Sequence, residues 1–156
     1  PWLLRAFRRI SKKSELHLFG EIEKGFEKKL EQLVCPGVKI CGPVSMEKLA
    51  MEYRQADIFC LPSVEEGFGL VVLQAMASGL PAVVSSAVGA ADVLREGKEG
   101  LIVPALNERS LSEALELLVD DVDLRKKIGY ASYQRIRNQY TWRHYMDRAI
   151  KMFNLS

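Results

Sequence analysis

The chain has 156 residues, of which 48% are hydrophobic and 27% charged, and its formal net charge is +2. This length fits one domain that buries a core without disulfides or a metal. The nearly balanced charge argues against nucleic acid as a partner, and no apolar stretch approaches the roughly 20 residues of a membrane-spanning helix. We therefore expect one domain over residues 1–156.

The chain opens with an amphipathic segment. In residues 1–13, one helical stripe carries Leu3, Ala6, Phe7 and Ile10, and five basic residues lie elsewhere. Two interpretations are open. The apolar stripe packs on the core of the domain, or the basic helix lies on an anionic membrane surface.

Short apolar runs then alternate with segments of helical periodicity. The predicted strands are 16–19, 38–41, 57–61, 82–85 and 101–103, and the predicted helices are 21–33, 46–54, 69–78, 90–96, 111–118, 123–140 and 142–153. Such alternation predicts a Rossmann-like α/β fold, with one parallel sheet covered by helices on both faces. A doubly wound domain normally starts with a strand, so the first strand is missing from this pattern.

Several helices carry start and stop signals. The predicted N-caps are Ser45, Ser110 in a capping box with Glu113, and Thr141. Gly79 followed by Pro81 predicts the end of the helix at 69–78.

The cysteines and histidines give no pattern of a metal or redox site. Cys35, Cys41 and Cys60 are odd in number and irregularly spaced, which favours reduced structural thiols in a cytoplasmic protein. His17 and His144 are isolated from other ligand-type residues in the sequence. We expect both to be structural and no metal to be bound.

The segment 57–70 is the most informative part of the chain. An apolar run at 57–61 ends at Pro62 and Ser63, and Gly67 and Gly69 precede a predicted helix. Glycines let backbone amides approach a ligand, and a free helix N-terminus favours an anion such as a diphosphate. No serine-hydrolase elbow, Walker loop or dinucleotide glycine motif follows a strand.

The residues Pro62-Ser63-Val64-Glu65-Glu66-Gly67-Phe68-Gly69-Leu70 resemble the donor-site signature of the group 1 (family 4-like) retaining GT-B glycosyltransferases. The similarity continues through residues 75–85, Gly89, Gly97, Gly100 and residues 101–104, with Asp92 where the family usually has Glu. The resemblance implies the C-terminal, donor-binding half of a GT-B enzyme.

This resemblance assigns roles within the loop. Glu66 is implied to contact hydroxyls of the donor sugar as the catalytic carboxylate, and the amides of Gly67, Phe68, Gly69 and Leu70 to hold sugar and phosphate. A carboxylate there can also favour positive charge at an anomeric carbon. The alternative is that Glu66 only flanks the helix start electrostatically.

Three further positions belong to the implied donor site. Gln74 stands where the family has a second Glu that binds the ribose, and an amide makes weaker bonds there than a carboxylate. Gly20 and Val44 follow predicted strands and would rim the nucleotide cleft, or form simple turns. Ser63 and the turn at 85–89 are weaker candidates, because small polar residues suit turns.

The resemblance implies a hexosyltransferase-like enzyme that takes its sugar from a UDP- or GDP-linked donor, without a cofactor or a required metal. The family's basic diphosphate loop and its N-terminal acceptor-binding domain have no counterpart in these residues, so we expect the isolated chain to be inactive. That domain would come from the full-length protein or from a partner chain. A noncatalytic binding or interaction module is the alternative. We expect a cytoplasmic protein, with peripheral membrane association as an open alternative.

Overall fold

A computed structural model describes residues 1–153, in which parallel strands alternate with helices. The elements are α1 (Trp2–Phe7), β1 (Leu16–Phe19), α2 (Glu27–Leu33), β2 (Val38–Gly42), α3 (Met46–Gln55), β3 (Phe59–Leu61), α4 (Leu70–Ala77), β4 (Ala82–Ser85), a 3-10 helix (Gly89–Val93), β5 (Gly100–Val103), α5 (Glu108–Asp120), α6 (Val122–Gln139) and α7 (Trp142–Phe153). The predicted α/β class, with helices flanking parallel strands, is confirmed.

The strands form two hydrogen-bonded sets rather than the one sheet predicted. β1 pairs with β2 in parallel, and β3, β4 and β5 form a second parallel sheet in that order. Within residues 1–153, no strand pairing joins the two sets. The sequence pattern locates each strand, but it does not reveal that β1 and β2 pair apart from β3, β4 and β5.

Strand β4 is the most deeply buried strand, with all four of its residues buried. Ala82 and Val84 lie in one hydrophobic cluster with Val72 and Met76 of α4. Val83 lies in another cluster, which includes residues of α1, α5 and α6. Since successive side chains of a strand point to opposite faces, β4 is covered by helices on both sides. Burying one such valine contributes on the order of 1.5–3 kcal/mol.

Helix α1 packs its apolar side on the core, as the first interpretation of the opening segment predicted. Leu4 and Ala6 are buried. Two basic side chains bind backbone carbonyls at the ends of other helices, since Arg8 donates to Gln32 O at 2.9 Å and Lys12 donates to Val119 O at 3.3 Å. The basic residues therefore bind helix C-termini, where cations are favoured.

The helix ends follow the predicted caps with one correction. Ser45 Oγ accepts from Lys48 N at 3.3 Å, and Thr141 Oγ1 accepts from His144 N at 3.5 Å. The capping box at Ser110 is wrong, because α5 begins at Glu108 and Asn107 Oδ1 accepts from Ser110 N at 3.0 Å. Asn and Ser are equally good N-caps, and the earlier one begins the helix.

Two predicted helices are shorter than their sequence patterns. The helix predicted at 21–33 begins only at Glu27, because Gly20 and Gly25 adopt positive φ angles of 122° and 87° outside the helical region. The helix predicted at 90–96 is a 3-10 helix over Gly89–Val93. The predicted stop is confirmed, since Gly79 has a φ of 81° and Leu80 N donates to Ala75 O.

The cysteines are free, as expected. His17 lies 3.2 Å from Glu15 Oε2 and 3.8 Å from Glu52 Oε2, contacts that the sequence spacing did not indicate. The described residues contain no group of three or more His, Cys, Asp or Glu side chains arranged to hold a metal. None of the helices within residues 1–153 combines the length and apolarity needed to cross a bilayer.

An ion pair between the buried Glu99 and the half-exposed Arg95 holds the turn before β5. Glu99 is fully buried, and its carboxylate accepts from Arg95 N and from Arg95 Nε, each at 2.9 Å. Ser132 Oγ of α6 donates to Glu99 O. Burial acts to raise the pKa of Glu99, but the hydrogen bonds and charge of Arg95 oppose it, and the net pKa lies below the ordinary 4.5.

We expect Glu99→Gln to change how the free energy of unfolding depends on pH at acidic pH. Because the folded pKa of Glu99 is lowered, its contribution is present above pH 4.5 and is lost as the pH falls through the folded pKa. The variant should be less stable than the parent at neutral pH and lose less free energy of unfolding on acidification. Urea denaturation across this pH range measures both effects.

Glu113→Gln is the matched control, because Arg109 and Glu113 form the same i,i+4 pair with side chains that are 81% and 60% exposed. Exposed pairs contribute about 0–1 kcal/mol. Equal effects of the two substitutions at neutral pH would contradict the structural role of Glu99.

Candidate functional site

The loop of residues 62–69, hereafter the 62–69 loop, joins β3 to α4. Gly69 is the N-cap of α4 with φ 77° and ψ 57°, a left-handed conformation that favours glycine. A Cβ at Gly69 would also lie 2.9 Å from Val88 Cγ1. Both the backbone conformation and the lack of space therefore require glycine at the point where the helix begins.

The N-terminus of α4 is open. No side chain of the described residues caps it, and its first turn holds no acidic residue. The first amides of a helix have no intrahelical acceptor, and the helix dipole places partial positive charge there. This end of α4 therefore has the features of an anion site, and binding of a diphosphate there stays a prediction.

The turn at 85–90 supports the 62–69 loop through backbone hydrogen bonds. Gly89 N donates to Glu66 O at 3.4 Å, and Ala90 N donates to Phe68 O at 2.7 Å. Glu66 and Val88 also form an isolated parallel bridge. These contacts fix the backbone on both sides of Gly67, so the loop is held by a segment about twenty residues away in the chain.

Two further features show how closely the loop and the turn are packed. The buried Ser85 at the end of β4 donates its hydroxyl to Ser63 O. A Cβ at Gly89 would lie 2.3 Å from Gly67 O and 3.1 Å from Phe68 Cα. The sequence indicates the turn at 85–89 only as a weaker site candidate, and its contacts with the 62–69 loop were not predicted. Two signals point to this position, a glycine four residues after the end of a strand and the place of Gly89 in the family resemblance.

Glu66 is half-buried, whereas its neighbour Glu65 is exposed, as expected for a solvated residue. The ion pairs among residues 1–153 do not involve Glu66. Phe68 and Leu70 are large apolar residues with exposed fractions of 44% and 65%. The loop thus presents a carboxylate without an ionic partner beside exposed apolar surface.

Gln74 lies one turn beyond Leu70 on α4 and is half-buried. Its Oε1 is buried and has no hydrogen-bond partner within the described part of the chain. Leaving a buried acceptor unpaired costs about 1–3 kcal/mol. A hydroxyl or amide donor from a bound molecule would remove that cost.

Gly20 and Val44 lie at the other sheet. Gly20 N donates to Gly42 O at 3.0 Å, so the loops after β1 and β2 meet there. Val44 is half-buried and precedes Ser45, the N-cap of α3. The structure thus brings the predicted residues into two groups, one at Gly20 and Val44 and one from Glu66 to Gln74. Their joint role in a nucleotide site stays a prediction.

The 62–69 loop lies largely on the surface, since Val64, Glu65, Gly67 and Phe68 are exposed. A cavity of about 300 Å³ lies beside Gly20 and is lined by apolar residues that include Phe19, Phe26 and Ile40. Another of about 540 Å³ lies between Phe7 and Gly37. Neither cavity includes Glu66 or Gln74. A ligand at the 62–69 loop would therefore need further cover to exclude water.

The fold and the loop define an α/β domain of parallel strands with an open helix N-terminus after a glycine-bearing loop. The family model described as "Glycosyl transferases group 1" matches residues 1–121. The chain belongs to this family of glycosyl transferases.

Curated relatives support the same assignment. Over 128 residues the chain is 34% identical to a D-inositol 3-phosphate glycosyltransferase of Pseudarthrobacter chlorophenolicus, a match that covers 79% of this chain and 30% of the relative. The protein of the same name from Nocardioides sp. is 30% identical over 118 residues, covering 76% of this chain and 26% of the relative. The chain thus spans less than a third of either relative.

Solved structures share the fold. Sucrose-phosphate synthase from Thermosynechococcus elongatus superposes with a TM-score of 0.85 at 24% identity, covering 99% of this chain and 42% of that one. Alr3699/HepE of Anabaena, solved in complex with UDP-glucose, superposes with a TM-score of 0.85 at 20% identity, covering 99% and 44%.

We expect Gly89→Ala to destabilise the protein, because its Cβ would clash with the Gly67 carbonyl oxygen. Overpacking of this kind costs about 1–3 kcal/mol. The matched control is Gly67→Ala, since Gly67 has no positive φ and no atom within 4 Å of its Cβ position. Its effect should stay within about 0.5 kcal/mol. Urea denaturation measures the free energy of unfolding of both variants. Equal losses of this free energy would contradict the close contact between Gly89 and the 62–69 loop.

Proposed function

We propose that this chain binds the donor of a retaining glycosyl transfer, a nucleoside diphosphate linked to a sugar. The observation that carries the proposal is the open N-terminus of α4, which follows directly on a braced loop that bears Glu66. Diphosphates favour such helix ends because free amides and the helix dipole act together.

Each element of the loop has a role in this proposal. The amides of Gly67, Phe68, Gly69 and Leu70 hold the sugar and the diphosphate. Glu66 accepts hydrogen bonds from sugar hydroxyls and stabilises positive charge that develops at the anomeric carbon. The bracing by the 85–90 turn supports these roles, because a preorganised donor set needs no rearrangement when charge develops.

Gln74 is proposed to contact the ribose. Its buried, unpaired Oε1 can accept a hydrogen bond from a ribose hydroxyl, and its amide group can donate one. An uncharged amide makes weaker bonds than a carboxylate would. We therefore expect the ribose contact to add less affinity than the diphosphate contacts. Gly20 and Val44 are proposed to rim the nucleotide side.

Comparisons support the donor class without naming the sugar or the base. The Anabaena protein was solved with UDP-glucose, and the curated relatives carry the name D-inositol 3-phosphate glycosyltransferase. We propose a UDP- or GDP-linked donor and a reaction that retains the anomeric configuration. We further propose a cytoplasmic protein that needs neither a metal nor a cofactor.

The acceptor would be bound by a further domain, which the greater length of the relatives supports. That domain would close over the open 62–69 loop and exclude water from the reacting bond. We propose that it is supplied by the full-length protein or by a partner chain. Residues 1–156 alone would bind the donor and not turn it over.

A noncatalytic interaction module is the second candidate, and α7 favours it. Its large apolar and aromatic residues are exposed, with Trp142 at 82%, Tyr145 at 58% and Met146 at 52%. Exposed apolar surface of this kind is typical of a face that contacts another protein. In that case the chain would bind no nucleotide-sugar and would form a stable complex with another protein.

We expect calorimetry with UDP-, GDP- and ADP-sugars to show selective binding that Glu66→Gln weakens. A hydrogen bond to a charged group contributes about 1.5–3 kcal/mol, which corresponds to a loss of about 10- to 100-fold in affinity. Glu65→Gln is the matched control, because Glu65 is adjacent and exposed. The affinity of the Glu65→Gln variant for the nucleotide-sugar should stay within about twofold of the parent, since substitutions of exposed residues usually have small effects.

Two results would contradict the proposal. Equal losses for Glu65→Gln and Glu66→Gln would remove the specific role of Glu66. Absence of binding across the panel, with the fold intact by circular dichroism, would favour the interaction module.

A further inference from the structure

One face of α6 contacts the segment that supports the 62–69 loop. Ile136 is buried in a hydrophobic cluster with Ala90 and Val93 of the 3-10 helix. Four residues earlier in α6, Ser132 Oγ donates to Glu99 O in the turn before β5. Positions four residues apart lie on the same face of a helix. This face of α6 therefore contacts both the 3-10 helix and the turn that precedes β5.

Arg135 lies beside Ile136 in α6, and its guanidinium binds the end of the 3-10 helix. Arg135 Nε donates to Val93 O at 3.3 Å. Val93 is the last residue of the 3-10 helix and is buried, and within residues 1–153 no backbone amide donates to its carbonyl oxygen. Buried carbonyl groups require a hydrogen-bond donor, and the C-terminal end of a helix favours a cation. Arg135 supplies both the donor and the positive charge.

The guanidinium of Arg135 is held by residues at the junction of α6 and α7. Arg135 Nη1 donates to Gln139 Oε1 at 2.6 Å, and Arg135 Cζ lies 5.4 Å from the ring centroid of Tyr140. Arg148 of α7 contacts the same ring, with 5.7 Å between Arg148 Cζ and the centroid. A guanidinium at this distance from an aromatic face is attracted to it. Tyr140 is therefore held by two cations and restricts the position of the Arg135 guanidinium.

Arg135 differs from nearby arginines in its partners. None of the ion pairs within residues 1–153 involves Arg135, whereas Arg95 pairs with Glu99. Arg137 is exposed and donates to Tyr133 OH at 3.3 Å, one turn back on its own helix. Of these three side chains, Arg135 is the one that binds a backbone carbonyl of another element within the described part of the chain.

The 3-10 helix connects this contact to the 62–69 loop. Its carboxyl end is at Val93, and its first two residues are Gly89 and Ala90. The amides of Gly89 and Ala90 donate to Glu66 O and Phe68 O at 3.4 and 2.7 Å. Five residues form fewer than two turns of a 3-10 helix, in which each turn takes about three residues. A segment this short is displaced as a unit, so a shift of its carboxyl end also shifts the two amides that support the loop.

We propose that Arg135 is a positioning residue for the 62–69 loop. Its hydrogen bond to Val93 O fixes one end of the 3-10 helix, and the other end of that helix then holds the carbonyl groups on both sides of Gly67. The inference concerns the backbone of the ligand-free protein, so it is independent of donor binding. Only the consequence of Arg135 for the affinity for a nucleotide-sugar rests on the proposed function.

NMR spectra of ¹⁵N-labelled protein without ligand test this positioning. Arg135→Met keeps the apolar stem of the side chain, suits a helix and removes every donor. The amide protons of Gly89 and Ala90 should then move upfield, because their hydrogen bonds to the loop lengthen. The amide signals of residues 66–70 should move with them, and the amides of residues 89–90 should exchange with solvent about tenfold faster. The amide signals of α3 should stay unchanged, which shows that the fold is intact.

Two variants separate the hydrogen bond from a general effect of substitution. Arg135→Lys keeps a donor for Val93 O, so it should restore most of the chemical shifts and the slow exchange. Arg137→Met is the matched control, because Arg137 is exposed on the same helix, and the amide signals of residues 66–70 should not move. A loss of global stability alone does not change the chemical shifts of the native state, so this measurement distinguishes positioning from stabilisation.

Three results would overturn the proposal. Changes confined to the surroundings of Val93 and Arg135, with residues 66–70 unmoved, would show that the 3-10 helix does not transmit the contact. Equal changes in Arg137→Met would remove the specific role of Arg135. If Arg135→Lys failed to restore the shifts, the hydrogen bond to Val93 O would not be the interaction that positions the loop.

Discussion

Complete burial of β4 is the constraint on which the rest of the structure depends. Its side chains alternate between a cluster formed with α4 and a cluster formed with α1, α5 and α6. Both neighbours, β3 and β5, are aligned by their parallel pairing to it. Because parallel strands end at the same edge of a sheet, the turn after β4 lies beside the loop after β3.

This adjacency connects the core to the candidate site. Ser85, the last residue of β4, is buried and bonds to Ser63 at the start of the 62–69 loop. Gly89 then fits against the carbonyl of Gly67 with no room for a side chain. The open end of α4 is thus placed by the packing of β4, and the loop conformation is set before any ligand binds. Rigid support of this kind is what a binding loop requires.

Much of the fold could be predicted from the sequence, because periodicity and caps are local. The strand positions and the stop at Gly79 are local signals, and so is the cap at Ser45. The start of α5 was missed because Asn107 and Ser110 both carry cap signals and only the folded backbone selects between them. The separation into two sheets was missed because no local pattern reports which strand edges meet.

The candidate site likewise has parts that the sequence predicts and parts that only the folded structure shows. The 62–69 loop and the helix start were predicted from their glycines and from a resemblance that specifies individual positions. The bracing by Gly89 could not be predicted, since it joins two loops that are distant in the chain and only sheet pairing makes them neighbours. The sequence also could not predict that Gln74 Oε1 lacks a hydrogen-bond partner, because this depends on how the side chain is buried in the folded protein.

An anion is proposed to bind at the open N-terminus of α4. Backbone amide chemical shifts recorded while UDP is titrated into ¹⁵N-labelled protein test it most directly. We expect the largest shifts at the amides of residues 67–71, with smaller ones at residues 88–90, which contact the loop. Shifts that are largest elsewhere, with residues 67–71 unchanged at saturation, would contradict it.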